Sequence, residues 1–492
     1  MTSAQQPDLP REANGNAEEA DRARRPKRAQ VSKACQRCKR LQKGCSEFRP
    51  CQRCVKVGLG EQCVSSEAQA HQPDPAAAWS FTRLPTSPQS YVSGPLESFQ
   101  RQAELLPSPV IEHCCRKFFS ELYPTIPILT PEFVGGLSVV AESRDEGSEA
   151  HCIIAAMCAM VLLQVEQPDA QSFETIIAHN NAMYGKLVFD EALAAYHHLS
   201  QRLVPTLERV LSAFFLYACH AVQFHHSQAF FFLREATTLF LLMRTDEDDV
   251  TRKNLIERLF WVLLVSERSH AIRYRRPVTL QINSSSPEPH NDVQLSGLWS
   301  LVALFRPLDT SFIALLNQES VVFPPTQSSL TYIETAISTA LDRVIGLQDT
   351  QIANLRTTQL WLQIIIWQVR LRLGFLTEQS DIPSLTYHYP LDIASRLVDS
   401  ARAMPINSLR VHGVGLTEKL FDVACAVVDV LARIPVGRLA QQYVSNRPED
   451  DLHYLRLLIS ELPGGKSIYN SLLDKHMQQT LPSLVLDSPD GR

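Results

Sequence analysis

The chain lacks the long apolar runs that a membrane protein needs. Among its 492 residues, the longest mainly apolar run spans 152–165, and its 14 residues fall short of the roughly 18–20 that cross a bilayer. The N-terminus also lacks the charged-then-apolar layout of a secretory signal peptide. We therefore expect a protein without membrane contact that stays inside the cell, where thiols remain reduced and disulfides are uncommon.

Alternating patterns, internal repeats and catalytic motifs are scarce as well. Few runs alternate apolar and polar residues as a half-buried strand does, and no period of roughly 20–50 residues recurs. The segment 464–467 resembles the end of a phosphate-binding loop, but Ser460 stands where that loop needs its first glycine. We expect neither a solenoid nor an enzyme.

Charge is unevenly distributed along the chain. Residues 22–56 hold 13 Lys and Arg and one acidic residue, a balance of +12, although the whole chain carries −5. The remainder therefore carries −17, from 34 basic and 51 acidic residues. Only the basic head has the charge to bind a polyanion such as nucleic acid. Five of its basic residues suggest a nuclear import signal or an arm against phosphate: Arg22, Arg24, Arg25, Lys27 and Arg28.

Six of the 12 cysteines lie within one short segment of this head. Their spacing is C-x2-C-x6-C-x5-C-x2-C-x8-C, formed by Cys35, Cys38, Cys45, Cys51, Cys54 and Cys63. Zinc prefers four tetrahedral ligands, and a C-x2-C pair lets both sulfurs reach one ion. Two zinc ions need eight ligand positions from six thiolates, so two sulfurs must bridge both ions. Cys35 and Cys51 each open one half of the pseudo-repeat and are the candidates.

Three other interpretations of these cysteines remain open. A single zinc ion bound by the two C-x2-C pairs would leave Cys45 and Cys63 without a role. An iron–sulfur site is expected to use four cysteines. A disulfide framework is disfavoured inside the cell. The binuclear zinc cluster is the interpretation that uses all six sulfurs.

With Pro50 before its fourth cysteine, this segment resembles the fungal zinc binuclear cluster transcription factors. The resemblance implies two zinc ions and a short helix that enters the major groove of DNA, where basic residues meet phosphates and a CGG-type triplet. The stretch that matches this helix is 39–44. It departs from the family at Leu41, Gln42 and Gly44, where basic residues are common.

Six residues of the head are candidate DNA contacts: Lys39, Arg40, Gln42, Lys43, Arg53 and Lys56. The basic residues at 39–43 suit phosphate or guanine, while Gln42 suits the edge of adenine or faces solvent. Arg53 and Lys56 suit phosphate contacts, because most protein–DNA hydrogen bonds go to the backbone. The partners implied are double-stranded DNA, nuclear import machinery, transcription machinery and a second copy of the chain. The linker after the cysteines has no proline-free stretch beyond 11 residues, so a dimer would lack a coiled coil.

Beyond residue 110 the pattern becomes helical. Apolar residues from 229 to 243 recur at the spacing of an amphipathic helix. The segment 255–272 is apolar on most of its circumference, which predicts a central helix that ends before Pro277. Weaker helical patterns recur near 150–165, 172–200, 204–224, 297–316, 330–347, 352–376, 391–403, 415–433 and 450–461. These patterns predict an all-α body.

The body is similar to the fungal-specific regulatory region of amylase and maltose regulators and of secondary-metabolite pathway regulators. The similarity rests on LREA at 233–236, ERLFW at 257–261, ER at 267–268 and RRP at 275–277. The charged residues of these motifs are more typical of ion pairs within and between helices than of a ligand site.

We predict a mainly all-α protein made of five segments. These are a disordered basic arm at 1–30, a zinc cluster domain at 31–66, a Pro- and Ser-rich disordered linker at 67–109, an α-helical regulatory region at 110–475 and a tail at 476–492. The predicted function is nuclear, sequence-specific regulation of RNA polymerase II transcription of a pathway-specific gene set, with a secondary-metabolite cluster preferred. Carbohydrate-utilisation genes are the alternative set. A zinc-stabilised RNA- or protein-binding adaptor is the alternative of another class.

Overall fold

A computed structural model describes residues 38, 40–43, 45, 51–57, 105–142, 149–173, 179–199, 204–244, 249–289, 292–319, 325–342, 346–433 and 447–481. They fall into two compact units, one within Met1–Ser90 and the other within Tyr91–Arg492. The arm predicted at 1–30, most of the linker predicted at 67–109 and most of the tail lie outside the described residues.

The described residues form helices joined by loops, which confirms the predicted fold class. The helices are α1 (Gln52–Lys56), α2 (Ser108–Lys117), α3 (Pro131–Glu142), α4 (Glu149–Met160), α5 (Asn181–Leu199), α6 (Leu207–Val222), α7 (His226–Leu242), α8 (Val250–Tyr274), α9 (Ser296–Phe305), α10 (Thr310–Leu316), α11 (Gln327–Thr339), α12 (Asp349–Arg372), α13 (Tyr389–Arg402), α14 (Ile406–Arg410), α15 (Val414–Leu431), α16 (Pro448–Ser460) and α17 (Asn470–Thr480). Short 3-10 and π turns adjoin them at Phe118–Leu122, Val161–Val165, Val293–Leu295, Pro383–Leu385 and Gly465–Tyr469. Within these ranges no strand forms, and an isolated β-bridge joins Thr377 to Thr386.

Helices α8 and α12 lie at the centre of the body. The predicted central helix within α8 is confirmed, because Leu259 and Leu264 are fully buried and apolar side chains surround the helix. It ends at Arg275, whose left-handed backbone (φ 56°) breaks the helix before Pro277. In α12 the ring N–H of the buried Trp361 donates a 2.9 Å hydrogen bond to a carboxylate of α15. Helices α4 to α7 pack together on the N-terminal side, and α12, α13, α15 and α16 do so on the C-terminal side.

The helical pattern at 297–316 forms two helices rather than one. Pro307 has no N–H to donate to the preceding turn, so α9 and α10 are separate. Asp309 caps α10 by accepting the N–H of Phe312 at 2.8 Å. No single helix in the described ranges is long and apolar enough to cross a membrane. α9 and α10 meet that test of length and composition only as a pair, with a 62° bend between them.

The motifs that the body shares with fungal regulatory regions form a buried ionic contact. Arg234 of α7 donates to Glu267 of α8 at 3.1 Å, and the N–H groups of Thr279 and Leu280 donate to the same carboxylate at 2.8 Å each. Glu267 is 1% exposed, so these three donors replace the water that a buried charge loses. The prediction of an ion pair is confirmed for Glu267. Arg258 and Arg268 differ from the prediction, because they donate to the hydroxyl of Tyr123 and to the backbone carbonyls of Phe305 and Arg306.

His220 of α6 is buried without a full set of hydrogen bonds. Its ring stacks on Phe232 with centroids 5.2 Å apart and meets Phe189 edge-on at 4.9 Å. Its Nε2 has no partner among the described residues. Burial, assisted by the nearby His225, lowers the pKa of His220 from 6.5 to about 4. Between pH 6.5 and about 4, the imidazole of His220 therefore binds a proton in the unfolded chain but not in the folded chain.

We predict that His220 makes the body less stable in acid. Its neutral form stabilises the fold fully above pH 6.5, and this contribution is lost as the pH falls toward 4. When the pH is lowered from 6.5 to about 4.5, the unsubstituted chain should lose stability because of His220. The free energy of unfolding of His220→Phe should therefore fall by about 2 kcal/mol less over the same range. Urea denaturation at both pH values measures this difference. Met183→Leu, an exposed substitution that adds and removes no titratable group, should keep the unsubstituted pH dependence. An identical pH dependence in His220→Phe would contradict the prediction.

Candidate metal centre and nucleic-acid interface

Three cysteines of the head come together around one point. The sulfur atoms of Cys38, Cys51 and Cys54 lie within 4.8 Å of one another, and those of Cys38 and Cys51 are 3.7 Å apart. Disulfide sulfurs are about 2.05 Å apart, so no disulfide bond joins Cys38 to Cys51. Two sulfurs bound to one tetrahedral zinc ion at about 2.3 Å would lie about 3.8 Å apart. The donor chemistry and the spacing therefore fit zinc.

The head buries sulfur rather than hydrocarbon. The three clustered cysteines are at most 1% exposed, whereas Leu41 and Val55 are 45% and 55% exposed. Cys45 is half-buried and packs against the cluster. Within its described part the head thus has no apolar core to stabilise it. Metal–sulfur bonds are the interaction that such a small unit can use instead.

Backbone turns hold the cysteines in place. The carbonyl of Cys51 accepts the N–H of Cys54 at 2.9 Å as α1 begins, which closes the C-x2-C turn. In the other half, the N–H of Lys43 donates to the carbonyl of Cys38 at 3.0 Å, and Gln42 adopts a left-handed backbone (φ 48°). This pattern is a Schellman closure, which ends a helix.

Five of the six predicted DNA contacts are described, and all five are exposed: Arg40, Gln42, Lys43, Arg53 and Lys56. Arg40 is helical, but Gln42 and Lys43 lie in and after the turn that ends the helix. The resemblance implied a helix through 39–44, and the structure ends it earlier because of the left-handed turn at Gln42. Arg53 and Lys56 lie in the last turn of α1.

The remaining predicted site residues lie outside the described residues. These are the zinc ligands Cys35 and Cys63, the DNA contact Lys39 and the import residues Arg22, Arg24, Arg25, Lys27 and Arg28. Their roles stay predictions.

A polar cluster in the body was not predicted from the sequence. Arg273 of α8 pairs with Asp422 and Glu418 of α15. Glu418 also accepts the hydroxyl groups of Tyr274 and Tyr469, the latter at 2.6 Å. The sequence did carry a signal, because acidic residues interrupt the apolar pattern of 415–433 on the face that becomes buried.

Comparison with known proteins finds fungal regulators. The chain is 23% identical over 339 residues to a probable sucrose utilization protein of Candida albicans, which covers 65% of this chain and just under two thirds (64%) of that protein. It is 21% identical over 415 residues to a maltose fermentation regulatory protein of Saccharomyces cerevisiae, which covers 82% of this chain and 85% of that protein. A stretch of 39 residues is 49% identical to a transcription activator of gluconeogenesis of Sordaria macrospora, 8% of this chain and 5% of that protein. No protein-family model and no solved structure matches the chain.

These comparisons bear on two predictions. The relatives are transcription regulators rather than enzymes, as predicted. They are named for sugar use and gluconeogenesis, so the preference for a secondary-metabolite gene set finds no support. In sequence the chain is therefore similar to fungal transcription regulators, and its cysteine cluster fits the zinc binuclear cluster that the spacing predicts.

Proposed function

We propose that the chain is a nuclear, sequence-specific DNA-binding regulator of RNA polymerase II transcription that acts on carbohydrate-utilisation genes. The observation that carries the proposal is a cationic head whose buried side chains are thiols. The relatives' names, which refer to sucrose utilization and maltose fermentation, support the choice of gene set. This choice replaces the secondary-metabolite preference.

In this proposal the six head cysteines hold two zinc ions, with Cys35 and Cys51 each bound to both. The position of Cys51 supports its bridging role. Its sulfur lies 3.7 Å from that of Cys38 in the other half and within 4.8 Å of that of Cys54 in its own half. Zinc held by these cysteines would make the head rigid, because bonds to sulfur would replace the apolar core that the described part of the head lacks.

The basic side chains around the cysteines would then contact DNA. Arg40 and Lys43 closely follow a buried cysteine and are exposed, so a rigid zinc cluster would fix their positions against phosphate or guanine. Lys39 and Gln42 belong to the same surface in this proposal, and Arg53 and Lys56 contact phosphate. The +12 charge of residues 22–56 attracts the chain to DNA before any base is recognised.

Further parts of the proposal concern partners. The basic run at 22–28 would bind nuclear import machinery, and the acidic body would engage transcription machinery. Two copies of the chain would read paired CGG-type triplets. The spacing of those triplets is then set by the dimer.

We predict two zinc ions per chain and loss of DNA binding when a ligand is removed. Full-length Cys54→Ser should hold fewer than two zinc ions by elemental analysis and lose duplex binding, because a missing thiolate opens the cluster. Cys115→Ser, in the body, should retain both properties. Chelation should abolish DNA binding while the thermal melt of the helical body stays unchanged. One zinc ion per unsubstituted chain, or DNA binding that survives chelation, would refute the zinc cluster.

A second prediction concerns phosphate contacts. Lys43→Ala and Arg53→Ala should each weaken binding to a duplex with two CGG triplets and reduce the slope of log affinity against log salt by about one unit. Fluorescence anisotropy at several salt concentrations measures this slope. Lys475→Ala, an exposed lysine of α17, is the matched control and should change nothing. Unchanged slopes in both head variants, or tighter binding to single-stranded RNA than to the duplex, would argue against the proposed interface.

A further inference from the structure

The body contains a cavity of about 210 Å³ among α6, α7, α8, α12 and α15. A water molecule occupies about 30 Å³, so the cavity has the volume of about seven waters or of one small organic molecule. Its wall includes Gly415, near the start of α15, which is exposed at the protein surface. A guest can therefore reach the cavity from solvent.

The charges of the wall and of its ion-pair partners sum to zero at pH 7. Arg273 pairs with Glu418 and Asp422, which leaves one surplus negative charge, and the ammonium of Lys419 supplies one positive charge. Burial lowers the pKa of Lys419 to about 8, so it remains largely charged at this pH. Burial also lowers the pKa of the three histidines of the wall, which are therefore neutral: His226, His270 and His412. A bound ion of either sign would add a charge that nothing in the described wall balances, and burying such a charge is unfavourable.

His270 gives an independent indication that the guest is polar. Its side chain lines the cavity and is only 6% exposed, and its Nε2 has no hydrogen-bond partner in the described part of the chain. The face of the ring stacks on Phe230, with centroids 5.5 Å apart and planes 11° from parallel. The nitrogen at the ring edge is thus the group that a guest can use. A buried polar atom without a partner is unfavourable, and a guest that bonds to Nε2 would remove this penalty.

The aromatic rings of the wall already contact other side chains. The ring of Tyr274 lies 4.6 Å from the ring of His226 and 4.6 Å from that of His270, measured between centroids. The Nζ of Lys419 lies 5.6 Å from the centre of the Trp361 ring. A flat aromatic guest would compete with these contacts in order to stack, whereas a guest that forms hydrogen bonds would not. Residues that offer hydroxyl groups also line the cavity: Tyr217, Ser266 and Ser269.

We propose that this cavity binds one small neutral polyol, of monosaccharide size, whose hydroxyl groups bond to His270 and to the serine hydroxyls of the wall. A hydroxyl group both donates and accepts, so it can satisfy the neutral imidazole in either tautomer. An apolar guest would leave Nε2 of His270 unsatisfied, and a charged guest would disturb the charge balance of the wall. A disaccharide is about twice too large. The inference goes beyond the proposed function and does not depend on it, because DNA binding is assigned to the head.

Isothermal titration calorimetry on the full-length protein at pH 7 tests the proposal. The neutral probes are glucose, fructose and myo-inositol, and we expect at least one of them to bind. Gluconate and glucosamine resemble glucose in size but carry a negative and a positive charge, and maltose doubles the size. Each of these three should bind at least about tenfold more weakly than the best neutral probe.

Two variants locate the site. His270→Phe keeps a ring that can stack on Phe230 but removes Nε2, so it should weaken binding of the best probe by about tenfold or more. His453→Phe makes the same change at an exposed position of α16 and should bind as the unsubstituted chain does. Gly415→Phe adds a ring at the wall, where open space surrounds the Cα, and should also weaken binding by about tenfold or more.

Thermal melts confirm folding of each variant, and duplex binding by all of them should equal that of the unsubstituted chain. The proposal would be overturned if none of the three neutral probes binds, because the cavity would then hold water alone. Equal affinity for a charged probe or for maltose, or full affinity in folded His270→Phe or Gly415→Phe, would overturn it as well. Failure of DNA binding with intact polyol binding would count against the proposed function alone.

Discussion

Bonding between zinc and thiolate sulfur is the interaction on which the proposed activity depends. The described part of the head hides its cysteines and exposes its valines and leucine, so the hydrophobic effect contributes little to its order. Structural zinc in small modules supplies about 10–16 kcal/mol of apparent binding free energy, which is enough to fold a unit of this size. The head would therefore be folded only with its metal, and its basic side chains would be fixed only then. The body needs no such support, because one extensive cluster of apolar side chains runs through it.

Buried charged side chains link the helices of the body to one another. Most are neutralised within the fold: Glu267 receives Arg234 and two backbone N–H groups, and Arg370 of α12 pairs with Glu334 of α11 at 2.7 Å. Each such contact joins elements that are distant in sequence, and removal of one partner would leave a buried charge unsatisfied. Lys419 of α15 is half-buried and donates to the hydroxyl of Thr358, and the surplus negative charge of the Arg273 cluster balances its own.

The elements that the sequence predicted well are those whose signal is local. The cysteine spacing indicated a metal centre, and long apolar periodicity predicted α7 and α8. Shorter helices such as α3, α14 and α17 were not predicted, because few turns of periodicity distinguish them from loops. The early helix end at Gln42 was missed because a left-handed glutamine is uncommon. The acidic residues within 415–433 were a signal for buried polar contacts, but neither the pairing with Arg273 nor the cavity could be predicted, because both arise only when helices far apart in sequence pack together.

The most direct test of the central claim is X-ray absorption at the zinc edge of the full-length protein. Two ions that share two thiolates should each show four sulfur neighbours at about 2.3 Å, with a second metal beyond the sulfur shell. This result would explain why the head loses its ordered structure when a chelator removes the metal. Nitrogen or oxygen neighbours in place of sulfur, or a zinc ion without a metal neighbour, would contradict the account.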